Sequence, residues 1–124
     1  GCGVARLNGK VEVLAITEIV SKNAFFDFQA KYEGASEEIT PARIASEIQN
    51  EIEENSIALY EKLELKGVIR VDYIIEESSK KPVFIEVNTV PGLSPASIVP
   101  KQLEYKGYSQ KEFFTLVLEE TLKS

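Results

Sequence analysis

The chain has 124 residues and a formal charge of −6, with 44% hydrophobic and 27% charged residues, the size and balance of one globular domain rather than a disordered segment. It holds no histidine and one cysteine, Cys2, which excludes histidine-based triads and zinc sites and asks for no oxidising compartment. The negative balance argues against a nucleic-acid surface, no run approaches the roughly 18 apolar residues of a membrane helix, and no basic-then-apolar leader opens the chain.

Val11 to Val20 is β-branched and reads as strand, and Asn8-Gly9 before it is a hairpin turn signal, so residues 1–20 predict a two-stranded hairpin. Ser21 to Ile39 has no clean period, carries Phe25, Phe26, Phe28 and Tyr32, and reads as one long loop of the kind that often serves function. Thr40 as N-cap and Pro41 at the first helical position predict a helix ending near Leu65, before Gly67. Its apolar side is Ile44, Ile48, Ile52, Leu59 and Leu63, with glutamates outside. Those glutamates could suit a basic partner, but a solvated helix face is the simpler explanation. Val68–Ile75 and Pro82–Asn88 are predicted strands, Thr89–Ala96 a loop, and 97–106 a short helix ended by Gly107. A last helix over 109–123 opens with Ser109 and Glu112 spaced as a capping box. The expected whole is one α+β unit. The absence of methionine suggests a cut-out piece or processed product.

Only two of the 20 acids are aspartate, and Asp72 lies inside an apolar strand. An antiparallel pairing centred on Ser79 sets Asp72 opposite Glu86, Arg70 opposite Asn88 and Val71 opposite Val87; shifting the partners by two would keep the same faces. The preferred register leaves two carboxylates roughly 5 Å apart, repulsive unless a cation lies between them. Oxygen donors from Asp, Glu and Asn suit magnesium, and Arg70 beside them could neutralise a transferring phosphoryl group. A solvated strand face in which Arg70 pairs with Asp72 or Glu86 fits the spacing equally well. Downstream, Gly92 could bring a backbone amide to an oxyanion, and amides at the helix start near Ser97 could bind an anion. A plain Pro91-Gly92 turn with Ser97 as a cap is the simpler reading of that segment.

The strings IRVDY (69–73) and FIEVNTVPGLSPASIVP (84–100), with FFDFQAKY (25–32) upstream, resemble the C-terminal part of D-alanine–D-alanine ligases, members of the ATP-grasp superfamily. The likeness spans nearly the whole chain. It implies that 1–124 is a C-terminal ATP-grasp subdomain, an antiparallel sheet with helices packed on it, from which the N-terminal and central parts are missing. It further implies two magnesium ions, replaceable by manganese, held by Asp72, Glu86 and Asn88 against the phosphates of ATP. Arg70 would contact the transferred phosphoryl group, and Gly92 would offer an amide to the tetrahedral oxyanion. Ser97 and Ile98 would bind the second D-alanine. Lys31 and Tyr32 would close over ATP and the reacting groups, with Lys31 on phosphate, and Phe84 and Glu86 would also meet the nucleotide. Tyr32 favours amide over D-lactate ester formation.

The expected activity is ATP-dependent joining of two D-alanines through an acyl phosphate for peptidoglycan precursors. The expected setting is the bacterial cytoplasm, in a homodimer, with neither nucleic acid nor membrane as partner and the piece inactive alone. Leu93-Ser94 replaces a commoner Met-Thr, Pro95-Ala96 is unusual, and Phe26 and Phe28 stand where tyrosines are common. The first two departures touch the shape of the acceptor pocket, and the phenylalanines remove hydroxyls from the loop. A ligase for another acceptor such as D-lactate, and a non-catalytic domain with a structural cation site, are the competing readings.

Overall fold

The structure is a computed structural model that describes residues 1–21 and 36–123. Among the described residues there are six strands: β1 (Cys2–Leu7), β2 (Lys10–Ile16), β3 (Glu18–Ser21), β4 (Ser36–Ile39), β5 (Val68–Ile75) and β6 (Pro82–Asn88). Three helices accompany them: α1 (Ser46–Lys62) between β4 and β5, then α2 (Ile98–Lys106) and α3 (Gln110–Lys123). The main sheet runs in the order β2-β1-β5-β6 with every neighbour antiparallel, and β3 pairs with β4 in a separate two-stranded sheet. This is the expected α+β architecture.

Alternation along the strands divides the core into two halves. Cys2, Val4, Ile69 and Val71 face α1, where Ile52 and Tyr60 close the first cluster. Ala5, Leu7 and Leu14 face the other way and bury Val99, Leu103 and Phe113 of α2 and α3. The sheet is therefore the middle of three layers, and truncating a ring as enclosed as Phe113 would cost about 3–5 kcal/mol.

The first hairpin forms as expected. Asn8 and Gly9 take φ values of 53° and 78°, the paired positive angles of a tight turn between Leu7 and Lys10. Three sequence expectations need correction. The strand expected over 11–20 breaks at Thr17, and Glu18–Ser21 leaves the main sheet to pair with Ser36–Ile39. The ends of the expected loop are thus strands, and its remainder, 22–35, lies outside the described residues. The helix expected from Thr40-Pro41 starts only at Ser46. Contacts to other elements hold the intervening residues out of a helix: the Ala42 amide donates to Ile16 O at 2.8 Å, and the Arg43 guanidinium grips the Glu18 carboxylate at 3.1 and 3.2 Å. At its other end α1 stops at Lys62, a turn short of Leu65, where the Leu65 amide reaches back to Tyr60 O at 3.0 Å around Glu64, whose φ is 51°.

The third correction concerns the central hairpin. Arg70↔Asn88, Val71↔Val87 and Asp72↔Glu86 are paired as expected, but a bulge follows, and Tyr73 then opposes Phe84. Phe84 consequently leaves the face of Glu86 and Asn88. Its ring meets the Tyr73 ring edge-on, with centroids 6.3 Å apart.

Candidate functional site: a charged strand face beside a helix start

Arg70 and Asp72 alternate along β5, and Asn88 and Glu86 oppose them on β6, so the four side chains share one face of the sheet. It is the face that α2 and α3 cover farther along, because Gly3 pairs with Arg70 and Ala5 with Val68. Arg70 clasps Asp72 with Nε on Oδ1 at 2.8 Å and Nη2 on Oδ2 at 3.0 Å. The Asn88 amide adds a donation to Oδ2 at 3.0 Å. Burial pushes the Asp72 carboxyl up, but the Arg70 hydrogen bonds and charge, with Asn88, lower it and hold Asp72 below the usual carboxylate range. Glu86 points into solvent.

The second half of the site is the turn after β6. Pro91 is buried, and Gly92 packs so closely on Ser97 that an added Cβ would lie 2.9 Å from Ser97 Oγ. Ser97 and Ser94 share a hydroxyl hydrogen bond of 2.9 Å, and the Ser97 amide donates to Ser94 O at 2.8 Å. Ser97 is the N-cap residue of α2, yet its side chain makes no capping bond, and the first turn has no acid. The backbone amides of Ile98 and Val99 therefore open the helix with no side-chain cap from Ser97. Ile98 itself is buried, so what it can offer a ligand is its amide rather than its side chain.

Of the residues singled out from sequence, the fold brings Arg70, Asp72, Glu86 and Asn88 together, and Gly92 with Ser97 and Ile98. Phe84 is turned toward Tyr73 by the bulge. Lys31 and Tyr32 lie outside the described residues. Among the described residues no cluster of three or more acids or cysteines is assembled. What stands on the strand face is a mixed set of two carboxylates and one amide oxygen, hard donors without nitrogen or sulfur competitors. That chemistry fits magnesium, with Asp72 already ordered by Arg70. No motif flags Gln102, a fully buried amide on α2.

A sheet face with a clasped carboxylate, a second acid opposite and a helix start alongside is suited to binding phosphate groups and an anionic substrate. Residues 1–119 match the family model described as D-ala D-ala ligase C-terminus, and the chain belongs to that family. It is 45% identical over 120 residues to the D-alanine–D-alanine ligase of Flavobacterium johnsoniae, a match covering 97% of this chain but 36% of that protein. D-alanyl-alanine synthetase A from Vibrio cholerae shares the fold, with a TM-score of 0.79 at 24% identity over 99% of this chain and 38% of its own. The Bacillus anthracis D-alanine–D-alanine ligase complexed with ATP gives a TM-score of 0.74 at 28% identity, over 98% and 39% respectively. The chain thus spans little more than a third of the length of these relatives.

Proposed function

We propose that this chain is the C-terminal ATP-grasp subdomain of a D-alanine–D-alanine ligase. The observation that carries the reading is the Arg70–Asp72–Glu86–Asn88 face beside the Gly92–Ile98 turn, in a chain of this family. Asp72, Glu86 and Asn88 would hold two magnesium ions, which when bound offset the charge of the ATP phosphates. In the first step a carboxylate oxygen of one D-alanine attacks the γ-phosphorus of ATP and ADP leaves. Arg70 offsets charge on the phosphoryl group in flight, while Asp72 fixes the plane of its guanidinium.

In the second step the amine of another D-alanine attacks the acyl carbon, loses a proton and expels phosphate. The Gly92 amide faces the oxyanion that forms, and Ser97 with the Ile98 amide receives the acceptor carboxylate. In this reading Lys31 would act on phosphate and Tyr32 on the reacting groups, whereas Phe84, turned toward Tyr73, has no part in the site. The first D-alanine site belongs to the remainder of the polypeptide, so residues 1–124 alone are inactive. In the cell the full protein is a cytoplasmic homodimer that supplies peptidoglycan precursors.

The test is ATP-dependent phosphate release by the full-length polypeptide with D-alanine, with L-alanine, and with D-alanine plus D-lactate. Release that requires D-alanine and magnesium, and falls at least about a hundredfold in Asp72→Asn, is the expected result. Turnover with another amino acid but not D-alanine would leave ATP-grasp chemistry and remove the substrate. A folded protein with no turnover would remove the reading.

A further inference from the structure

For the amine to reach the acyl carbon, the start of α2 must hold its place against β5 to within about 1 Å, since larger errors cost orders of magnitude in rate. The apolar contacts of Val99 and Leu103 bury the helix but are non-directional. Exposed Lys106 reaches Val13 O at 3.4 Å and exposed Lys101 pairs with Glu38 at 3.7 Å, but the buried directional contact is Gln102, one turn beyond Ile98. Its Nε2 donates to Gly1 O and to Thr17 Oγ1, each at 3.0 Å. Gly1 O also accepts from the Thr17 amide at 2.8 Å, and Thr17 Oγ1 shares a 2.6 Å hydrogen bond with Thr40 Oγ1.

The chain held in this way is the one against which the charged face rests. A Cβ at Gly1 would lie 3.3 Å from Arg70 Cδ and 3.4 Å from Asp72 Oδ1. Gly3, the sheet partner of Arg70, runs directly under the Gln102 amide, and a Cβ there would fall 2.1 Å from Oε1. That oxygen is buried without a hydrogen-bond partner, an arrangement that costs stability and that a methionine would avoid. Packing alone is therefore a poor account of a glutamine at this position.

We infer that Gln102 is a positioning residue that pins the acceptor-binding start of α2 to the strand beside Arg70 and Asp72. The inference rests on the proposed function, from which it takes the meaning of Ser97 and Ile98. The experiment uses the full-length polypeptide with Gln102→Met, Thr17→Val and Thr17→Ser. Each variant is assayed for dipeptide formation and for hydroxamate formation when hydroxylamine replaces the acceptor, the latter reading only the first step.

Gln102→Met is expected to raise the KM for acceptor D-alanine about tenfold, the effect of two lost hydrogen bonds, with the KM for ATP and the hydroxamate rate within about twofold of wild type. Thr17→Val should shift the acceptor KM in the same direction by less, and Thr17→Ser should restore it. If Gln102→Met does not fold, the Thr17 pair decides alone. An unchanged acceptor KM in folded variants overturns the inference, as does an equal loss of dipeptide and hydroxamate. A wild-type protein without D-alanine-dependent turnover overturns the proposed function itself, and the inference with it.

Discussion

Asp72 and Glu86 face each other across β5 and β6, yet their surroundings give them different consequences when neutralised. Asp72 accepts three hydrogen bonds from Arg70 and Asn88, so Asp72→Asn should lower stability by about 1–3 kcal/mol as well as abolish activity. Glu86 is exposed and serves no structural bond among the described residues. Glu86→Gln should therefore leave the urea midpoint of the full-length polypeptide within about 0.5 kcal/mol of wild type while raising the magnesium needed for turnover. Equal magnesium dependence in the two proteins would show that Glu86 is not a ligand. Cys2 is a different case. Burial pushes its thiol from 9.0 up to about 11, against a lowering contribution from the Ser56 hydrogen bond. The folded state favours the neutral thiol, so its contribution is complete below pH 9 and disappears as the pH rises through about 11. The loss amounts to about 3 kcal/mol and should appear as the difference between wild-type and Cys2→Ala unfolding curves across that window. A difference that stays flat with pH would mean that the thiol is not sealed from water.

Helix ends show how much a single cap can decide. Ser109 Oγ accepts from the Glu112 amide at 3.1 Å and donates to the Glu112 carboxylate at 3.0 Å, whereas the N-cap of α1 is Ala45, which has no side chain able to bond. Ser109→Ala should cost about 1 kcal/mol, and Ala45→Ser should add about as much. Melting temperatures that move about 4 °C down and up respectively would agree; an unmoved Ala45→Ser would mean that water already satisfies the first turn of α1. The Ser109 cap was readable because the signal and the helix are both local. The Thr40-Pro41 signal was just as local and misled, because Ile16 and Glu18 bond Ala42 and Arg43 outside the helix. The break at Thr17 was hidden for a related reason: an unbroken β-branched run fits one long strand or two strands in different sheets equally well. Between β5 and β6 the alternation of Ile69, Arg70, Val71 and Asp72 against Glu86, Val87 and Asn88 fixed only which faces meet, and it was the turn centred on Ser79 that singled out the observed pairing at the site from registers shifted by two. Beyond it Val83, Phe84 and Ile85 are all apolar, so the pattern carries no phase and the bulge left no mark. Gln102 escaped because its partners, Gly1 and Thr17, are 101 and 85 residues away in sequence.

Over the whole molecule, that same apolar run is the feature at odds with an independent domain. The sheet is covered on both faces near β1, but its β6 edge exposes Val83, Phe84 and Ile85 by 45–50%, joined by Ile74 at 60% and Val90 at 90%. Monomeric proteins rarely leave so many large apolar side chains together on an open edge strand, where unpaired backbone groups also invite association. The chain covers about 36% of its Flavobacterium johnsoniae relative, and under the proposed function the rest of the polypeptide would be the cover for this edge. Residues 1–124 prepared alone should therefore bind a hydrophobic dye and self-associate, and the full-length polypeptide should do so much less. Phe84→Ser with Ile85→Thr should reduce dye binding by the short chain without lowering its melting temperature, since both side chains are half exposed and contribute little to either core cluster. Equal dye binding by the two lengths would show that the rest of the polypeptide leaves this edge open. A short chain that is monomeric and binds no dye would show that the edge is covered by something within residues 1–124, and the two-part reading of the molecule would lose its physical basis.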